Sequence, residues 1–192
     1  IGPDLCALDT YHAAGLRSIG PVWSRPNLFG FGVPFEFPHS PDMGPGLTAH
    51  GRALVRRCNE LGVMLDLSHM TERGFWDVAG LSDAPLVATH SNAHAICPSP
   101  RNLTDEQLAA VRASSGVVGL NFNTGFLHPE GKNDTDLPIE VMVRHIDHLV
   151  DKLGIDGVAL GSDFDGATMP DAVKEAAHLP ALVDALKGAR YD

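Results

Sequence analysis

Val63-Met64-Leu65-Asp66-Leu67-Ser68-His69 and Pro85-Leu86-Val87-Ala88-Thr89-His90-Ser91 are two apolar runs that each close on an imidazole. Each reads as a buried β-strand, and Thr71 to Leu81 between them has helix character. Strand, helix, strand with a histidine at each C-terminal strand end is how a parallel α/β protein presents a metal or a general base. That end of the sheet is where such folds carry out their chemistry.

The alternation continues on both sides. Asp4 to Gly15 is mildly helical, and Leu16 to Trp23 is a candidate strand. Residues 24–46 are crowded with proline, glycine and phenylalanine and have no sustained period, so they read as a long loop, either functional or mobile. Thr48 to Leu61 is amphipathic, with Leu54, Val55, Cys58 and Leu61 on one face and Gly62 as a natural C-cap. Thr104-Asp105-Glu106-Gln107 is a capping box opening a helix to about Ala113. Gly116 to Asn123 and Gly157 to Ser162 read as two further strands, the second leading into Asp163-Phe164-Asp165-Gly166. Pro138 to Leu153 is the strongest helix, stopped by Gly154, and a last helix is expected from about Asp171 to Lys187. Near-continuous apolar strands indicate a parallel sheet covered on both faces. A TIM-type barrel and a doubly wound sheet fit this pattern equally well. No strand is followed by Gly-x-Gly-x-x-Gly or Gly-Lys-Ser/Thr, which lowers the weight of phosphate-binding versions.

Composition narrows the function. The chain has 192 residues, 44% hydrophobic and 20% charged, enough to bury a real core. A net charge of −10 with no basic cluster argues against nucleic acid, and no apolar run reaches the ~20 residues of a membrane span. The 3 cysteines, Cys6, Cys58 and Cys97, are far apart and form no Cys-x-x-Cys pair, which suits a reducing compartment. The first residue is Ile1 rather than methionine, and the chain reads as an internal piece of a longer protein.

Several residues are candidates for chemistry. A catalytic zinc site needs neutral imidazoles and carboxylates from different elements, with one position left open, and His69 and His90 meet the first demand if their strands are neighbours. Of Asp163 and Asp165, either carboxylate suits metal binding or proton transfer, with Asp165 read as a turn residue before Gly166. Arg101 suits a bidentate grip on a substrate carboxylate, although an arginine in a loop is more often solvated. His94 is a candidate support for His90. His145 and His148 share a metal-capable i, i+3 spacing, but the run Arg144-His145-Ile146-Asp147-His148 predicts a solvated helix face.

Leu65-Asp66-Leu67-Ser68-His69, Ala88-Thr89-His90-Ser91-Asn92-Ala93, Arg101-Asn102-Leu103 and Gly161-Ser162-Asp163-Phe164-Asp165-Gly166, in this order and spacing, resemble the membrane (renal) dipeptidase family, peptidase family M19. The segment Val22 to Asn27 looks like its bacterial branch. The resemblance implies a (β/α)8 barrel, present here only in part as a single catalytic domain over 1–192. It also implies a two-zinc centre that hydrolyses dipeptides through a metal-bridging hydroxide and tolerates a C-terminal D-residue. By motif, His69 and His90 bind zinc, Arg101 holds the substrate carboxylate and Asp163 serves proton transfer. The family's remaining zinc ligands, a His-x-Asp pair and a bridging Glu, would lie upstream of Ile1, so this chain alone is expected to be inactive. Trp23 stands where many members carry a substrate-contacting histidine. The whole protein is expected to be cytoplasmic, to act on small dipeptides and to need neither nucleic acid nor a membrane segment, and a homodimer is left open. Two other readings remain: a related metal-dependent barrel acting on a lactone, ester or cyclic amide, and a non-catalytic barrel relative.

Overall fold

In a computed structural model, which describes residues 1–191, five parallel strands alternate with helices. They are β1 (Ser18–Ile19), β2 (Met64–Leu65), β3 (Val87–Ala88), β4 (Val117–Leu120) and β5 (Val158–Leu160). The helices are α1 (Cys6–Ala13), α2 (Ala49–Leu61), α3 (Glu72–Ala79), α4 (Asp105–Ala113), α5 (Thr124–Leu127), α6 (Ile139–Leu153) and α7 (Leu179–Gly188). β1 pairs with β2, β3 with β4 and β4 with β5, all parallel. A parallel bridge between Asp66 and Val87 joins the two groups. Strand order therefore follows chain order with no reversal among the described residues. A doubly wound sheet changes direction at a switch point, whereas a (β/α) barrel does not, so this is part of a TIM-type barrel.

The helices form for local reasons that the sequence carries. Thr48, Thr71 and Thr104 accept hydrogen bonds from the backbone amides of Gly51, Gly74 and Gln107, and the Thr104–Gln107 capping box is complete. Gly62 ends α2 in the left-handed conformation, with φ 65°. Leu54, Val55 and Cys58 of α2, Phe75 and Val78 of α3, Leu108 and Val111 of α4, and Met142, Ile146 and Leu149 of α6 pack on the sheet as one core. Full burial of such side chains contributes roughly 1.5–3 kcal/mol each.

The strands are shorter than the apolar runs imply, for a physical reason. Polar side chains at their C-terminal ends capture the backbone amides that a longer ladder would use. Asp66 Oδ1 accepts from the amides of Ser68 and Thr89, and Ser68 Oγ accepts from that of His90. Asn92 Oδ1 takes the amide of Asn121, and Asn121 Oδ1 takes that of Asn123. Past β4 the chain turns at once into the short helix α5 rather than continuing as strand to Asn123.

Two further expectations are corrected. The segment from Asp171 is not one helix but two 3-10 turns, Asp171–Val173 and Ala176–His178, followed by α7. Pro180 lies in the first turn of α7, where its missing N–H costs nothing, so the helix opens there. His145 is not on a solvated face. Its side chain is fully buried, Nδ1 accepts from the Ala93 amide at 3.2 Å, and Nε2 donates to the Leu127 carbonyl at 3.0 Å. It pins α6 to the segment that follows His90. His148 behaves as expected, bonding Asp105 near the surface.

Two consequences are testable in the full-length protein. Strand packing is tight around the Thr89 carbonyl: a Cβ at Gly161 would lie 1.8 Å from that oxygen and one at Gly119 2.0 Å from it. Gly161→Ala should cost about 2 kcal/mol or more in urea unfolding, and an unchanged midpoint would contradict this packing. Burial pushes the His145 imidazole down from 6.5 to about 4. The unfolded chain therefore takes up the proton first, and stability is lost as pH falls from about 6.5 towards 4, by up to ~1.4 kcal/mol per pH unit. His145→Gln keeps an acceptor and a donor without titrating, and should flatten the acid limb of a stability–pH curve by that amount.

Candidate active site

The imidazoles of His69 and His90 leave adjacent strand ends and meet with their Nε2 atoms 2.9 Å apart. Each ring is held from behind. His69 Nδ1 lies 2.8 Å from Ser24 Oγ, and His90 Nδ1 lies 2.7 Å from Thr89 Oγ1. Burial would raise the Asp66 carboxyl, but the hydrogen bonds it accepts from the Thr89 hydroxyl and from the Thr89 and Ser68 amides outweigh this and hold it below the ordinary range. Asp66 is thus ionised and can only accept, so the Thr89 hydroxyl must donate its proton to Asp66 Oδ2, at 2.6 Å. Thr89 Oγ1 can then only accept from His90 Nδ1. The proton of His90 sits on Nδ1, and its Nε2 lone pair faces His69.

Burial first, and the nearby Arg101 charge second, push both imidazoles down, His69 to about 3. His90 is thus a neutral ring with an aimed lone pair and an anchored Nδ1–H, as metal ligation requires. His69 donates its Nε2–H to it here and would need that proton on Nδ1, facing Ser24 Oγ, to bind a metal. The 2.9 Å separation is close to the ~3.3 Å at which two nitrogens sit on one tetrahedral zinc with bonds of about 2.0–2.1 Å. The pair therefore fits half of a zinc site. Among the described residues, no group of three or more His, Cys, Asp or Glu side chains converges as a metal cage.

Arg101 is not a solvated loop arginine. Its side chain is 2% exposed, with Nη2 donating to the His90 carbonyl at 3.1 Å and the guanidinium 5.2 Å from the Phe126 ring centre. Burial lowers its pKa to about 10, with Asp163 and Asp66 opposing the shift, so it remains a cation at neutral pH. Its buried Nε has no hydrogen-bond partner among the described residues, and Arg101 lies behind the cleft wall rather than lining it.

Asp163 follows β5 and shares the cleft with His69. Asn121 Nδ2 donates to its Oδ2 at 3.0 Å, while Oδ1 lies over Gly166, where a Cβ would approach to 2.9 Å. His69 (φ 71°) and Asp163 (φ 62°) both sit in the left-handed region, a conformation that costs non-glycine residues energy and gathers at functional sites. Asp165 has φ 64° and is exposed on the turn closed by the Gly166 amide on the Asp163 carbonyl, as expected of a turn residue. His94 bonds the His39 carbonyl and does not support His90. Trp23, 5.9 Å from the His69 ring, lines the cleft.

Several contributors escaped the sequence reading. Asp66 sits inside an apolar run, Ser24 lies 45 residues before its partner His69, and Phe126 belongs to a short helix with no clear period. Only the strand-end position of Asn121 was a usable signal. Among the described residues, no helix is long and apolar enough to cross a membrane.

Comparisons with known proteins follow the same line. A metallo peptidase from Rhodobacter sphaeroides, solved with a phosphinate mimic of the dipeptide L-Ala-D-Ala, superimposes with a TM-score of 0.99 at 60% identity. The match covers 100% of this chain and 55% of that one. The uncharacterized protein in the pqqA 5' region of Klebsiella pneumoniae is 55% identical over 185 residues, 96% of this chain and 68% of that protein. The dipeptidase tcpJ of Claviceps purpurea (strain 20.1) is 31% identical over 174 residues, 91% of this chain and 39% of its own length. The chain thus spans about half the length of the solved relative. The family model of membrane dipeptidase matches residues 1–192, and the chain belongs to peptidase family M19.

Proposed function

We propose that residues 1–192 are part of a single barrel-type catalytic domain whose full-length protein is a zinc-dependent dipeptidase. The observation that carries this reading is the convergence of His69 Nε2 and His90 Nε2 beside a buried arginine with an unpartnered Nε. His69 and His90 would hold one zinc ion of a two-zinc centre, with the other ligands supplied by the rest of the protein. When bound, the metal would acidify a water enough for it to attack a carbonyl at neutral pH.

The chain's own residues do the rest. Arg101 would anchor the substrate's C-terminal carboxylate through its guanidinium, the buried cation beside the His90 carbonyl. A neutral lactone or ester offers no such anion, which favours the dipeptide reading over the related-hydrolase one. Asn121 occupies Asp163 Oδ2, leaving Oδ1 to hold the proton that moves to the amine nitrogen as the C–N bond breaks. Tolerance of a D-residue at the C-terminal position is supported by the ligand of the R. sphaeroides relative, an L-Ala-D-Ala mimic. A cytoplasmic setting belongs to the same reading, in keeping with 3 dispersed cysteines that form no Cys-x-x-Cys pair.

Two outcomes are expected of the full-length protein. Chelation should abolish hydrolysis of an L,D-dipeptide and zinc should restore it, while His69→Ala should lose bound zinc by elemental analysis together with activity. A variant that keeps wild-type zinc content and rate would remove His69 from the metal centre. Arg101→Met should lower kcat/KM for a free dipeptide by at least about a hundredfold, and far less for its C-terminal amide. Equal losses on the two would mean that Arg101 only supports the fold.

A further inference from the structure

Resting on the dipeptidase reading, we propose that Trp23, Phe35 and Phe126 form a subsite that selects dipeptides with a bulky apolar C-terminal side chain and disfavours acidic ones.

Phe35 and Trp23 are among the most exposed large apolar side chains of the molecule, at 59% and 55%, yet both line one cleft of about 530 Å³. That volume suits a dipeptide with large side chains. The rings form a continuous wall: Trp23 meets Phe35 edge-on at 5.6 Å, and Phe35 stacks over Phe126 at 6.0 Å. Aromatic rings lining the cleft that also holds His69 and Asp163 are suited to an apolar substrate group.

The wall is also held in place. The loop that supplies Phe35, residues 24–46, buries Phe29 and Val33. The Val33 amide bonds the His69 carbonyl at 2.8 Å, the Thr71 amide bonds the Phe31 carbonyl at 3.3 Å, and the His39 amide bonds the Pro98 carbonyl at 2.9 Å. Phe35 is therefore presented from a loop tied to the barrel, which lowers the ordering needed on binding.

Phe126 decides which substrate residue the wall meets. Its ring centre is 5.2 Å from the Arg101 guanidinium and 6.0 Å from the Phe35 ring. A carboxylate anchored at Arg101 places the α-carbon that bears it, and so the C-terminal side chain, beside Phe126 and Phe35. Trp23, against His69, flanks the scissile bond. Glu36, between Phe35 and Phe37, lines the same cleft as Asp163. A carboxylate next to Phe35 in the wall disfavours Asp or Glu at that position.

The test uses the zinc-loaded full-length protein and an Ala-Xaa series with Xaa Ala, Leu, Phe or Asp in both configurations. Wild-type kcat/KM for the better configuration should be about tenfold or more higher for Phe or Leu than for Ala, and lowest for Asp. Phe35→Ala should bring the Phe/Ala ratio to within about threefold, and Phe35→Tyr, which keeps the ring, should preserve it. Hydrolysis with a flat or Asp-favouring wild-type series would overturn the subsite and leave the dipeptidase reading standing. An equal loss on all substrates in Phe35→Ala, with a lowered Tm, would also overturn it and mean that the protein itself covers the rings. A wild-type protein that cleaves none of the series would overturn both.

Discussion

The Asp66 carboxylate ties the sheet to its site. It sits where β2 gives way to the active end of the barrel, and its two oxygens accept from the Ser68 amide, the Thr89 amide and the Thr89 hydroxyl. Through the hydroxyl it fixes the proton of His90 on Nδ1, and through the amides it fixes the spacing of the β2 and β3 ends. Were it protonated or replaced, Thr89 would be free to donate to His90, and the Nε2 lone pair would no longer be assured. A buried acid that only accepts holds the neutral His90 imidazole in one tautomer through the intervening Thr89 hydroxyl.

The same economy extends to charge. Arg101 is a fully desolvated cation, a costly arrangement unless anions are near. Asp163 and Asp66 supply that compensation through space, without a hydrogen bond to the guanidinium. It keeps its charge while, among the described residues, only Nη2 is bonded, to the His90 carbonyl. The positive field in turn helps to keep both histidines neutral. Cation, carboxylates and imidazoles thus depend on each other, which explains why they emerge from different strands yet lie together at one end of the sheet.

Much of this was legible from periodicity. The capping residues of α2, α3 and α4, the apolar faces and the two strand-end histidines all follow from local rules that local structure obeyed. What failed was whatever tertiary packing decides. His145 reads as polar because its neighbours Arg144 and Asp147 are, but the helix turns it inward to bond Ala93 and Leu127. Asp66 passes without a role inside an apolar run because nothing local reveals that it serves the next strand. The choice between barrel and doubly wound sheet needed the strand order, a long-range quantity that composition does not encode. Arg101 looked solvated for the same reason, since burial of a loop residue depends on what folds over it.

The account stands on His69 and His90 sharing one metal ion through their Nε2 atoms. Crystals of the full-length protein grown with zinc, with anomalous diffraction collected on both sides of the zinc edge, address this directly. If the two imidazoles share one ion, a zinc peak will be bonded to both Nε2 atoms at about 2.0–2.1 Å, with the Nδ1 contacts to Ser24 and Thr89 retained. Zinc bound elsewhere, with the two imidazoles hydrogen-bonded to each other, would contradict it.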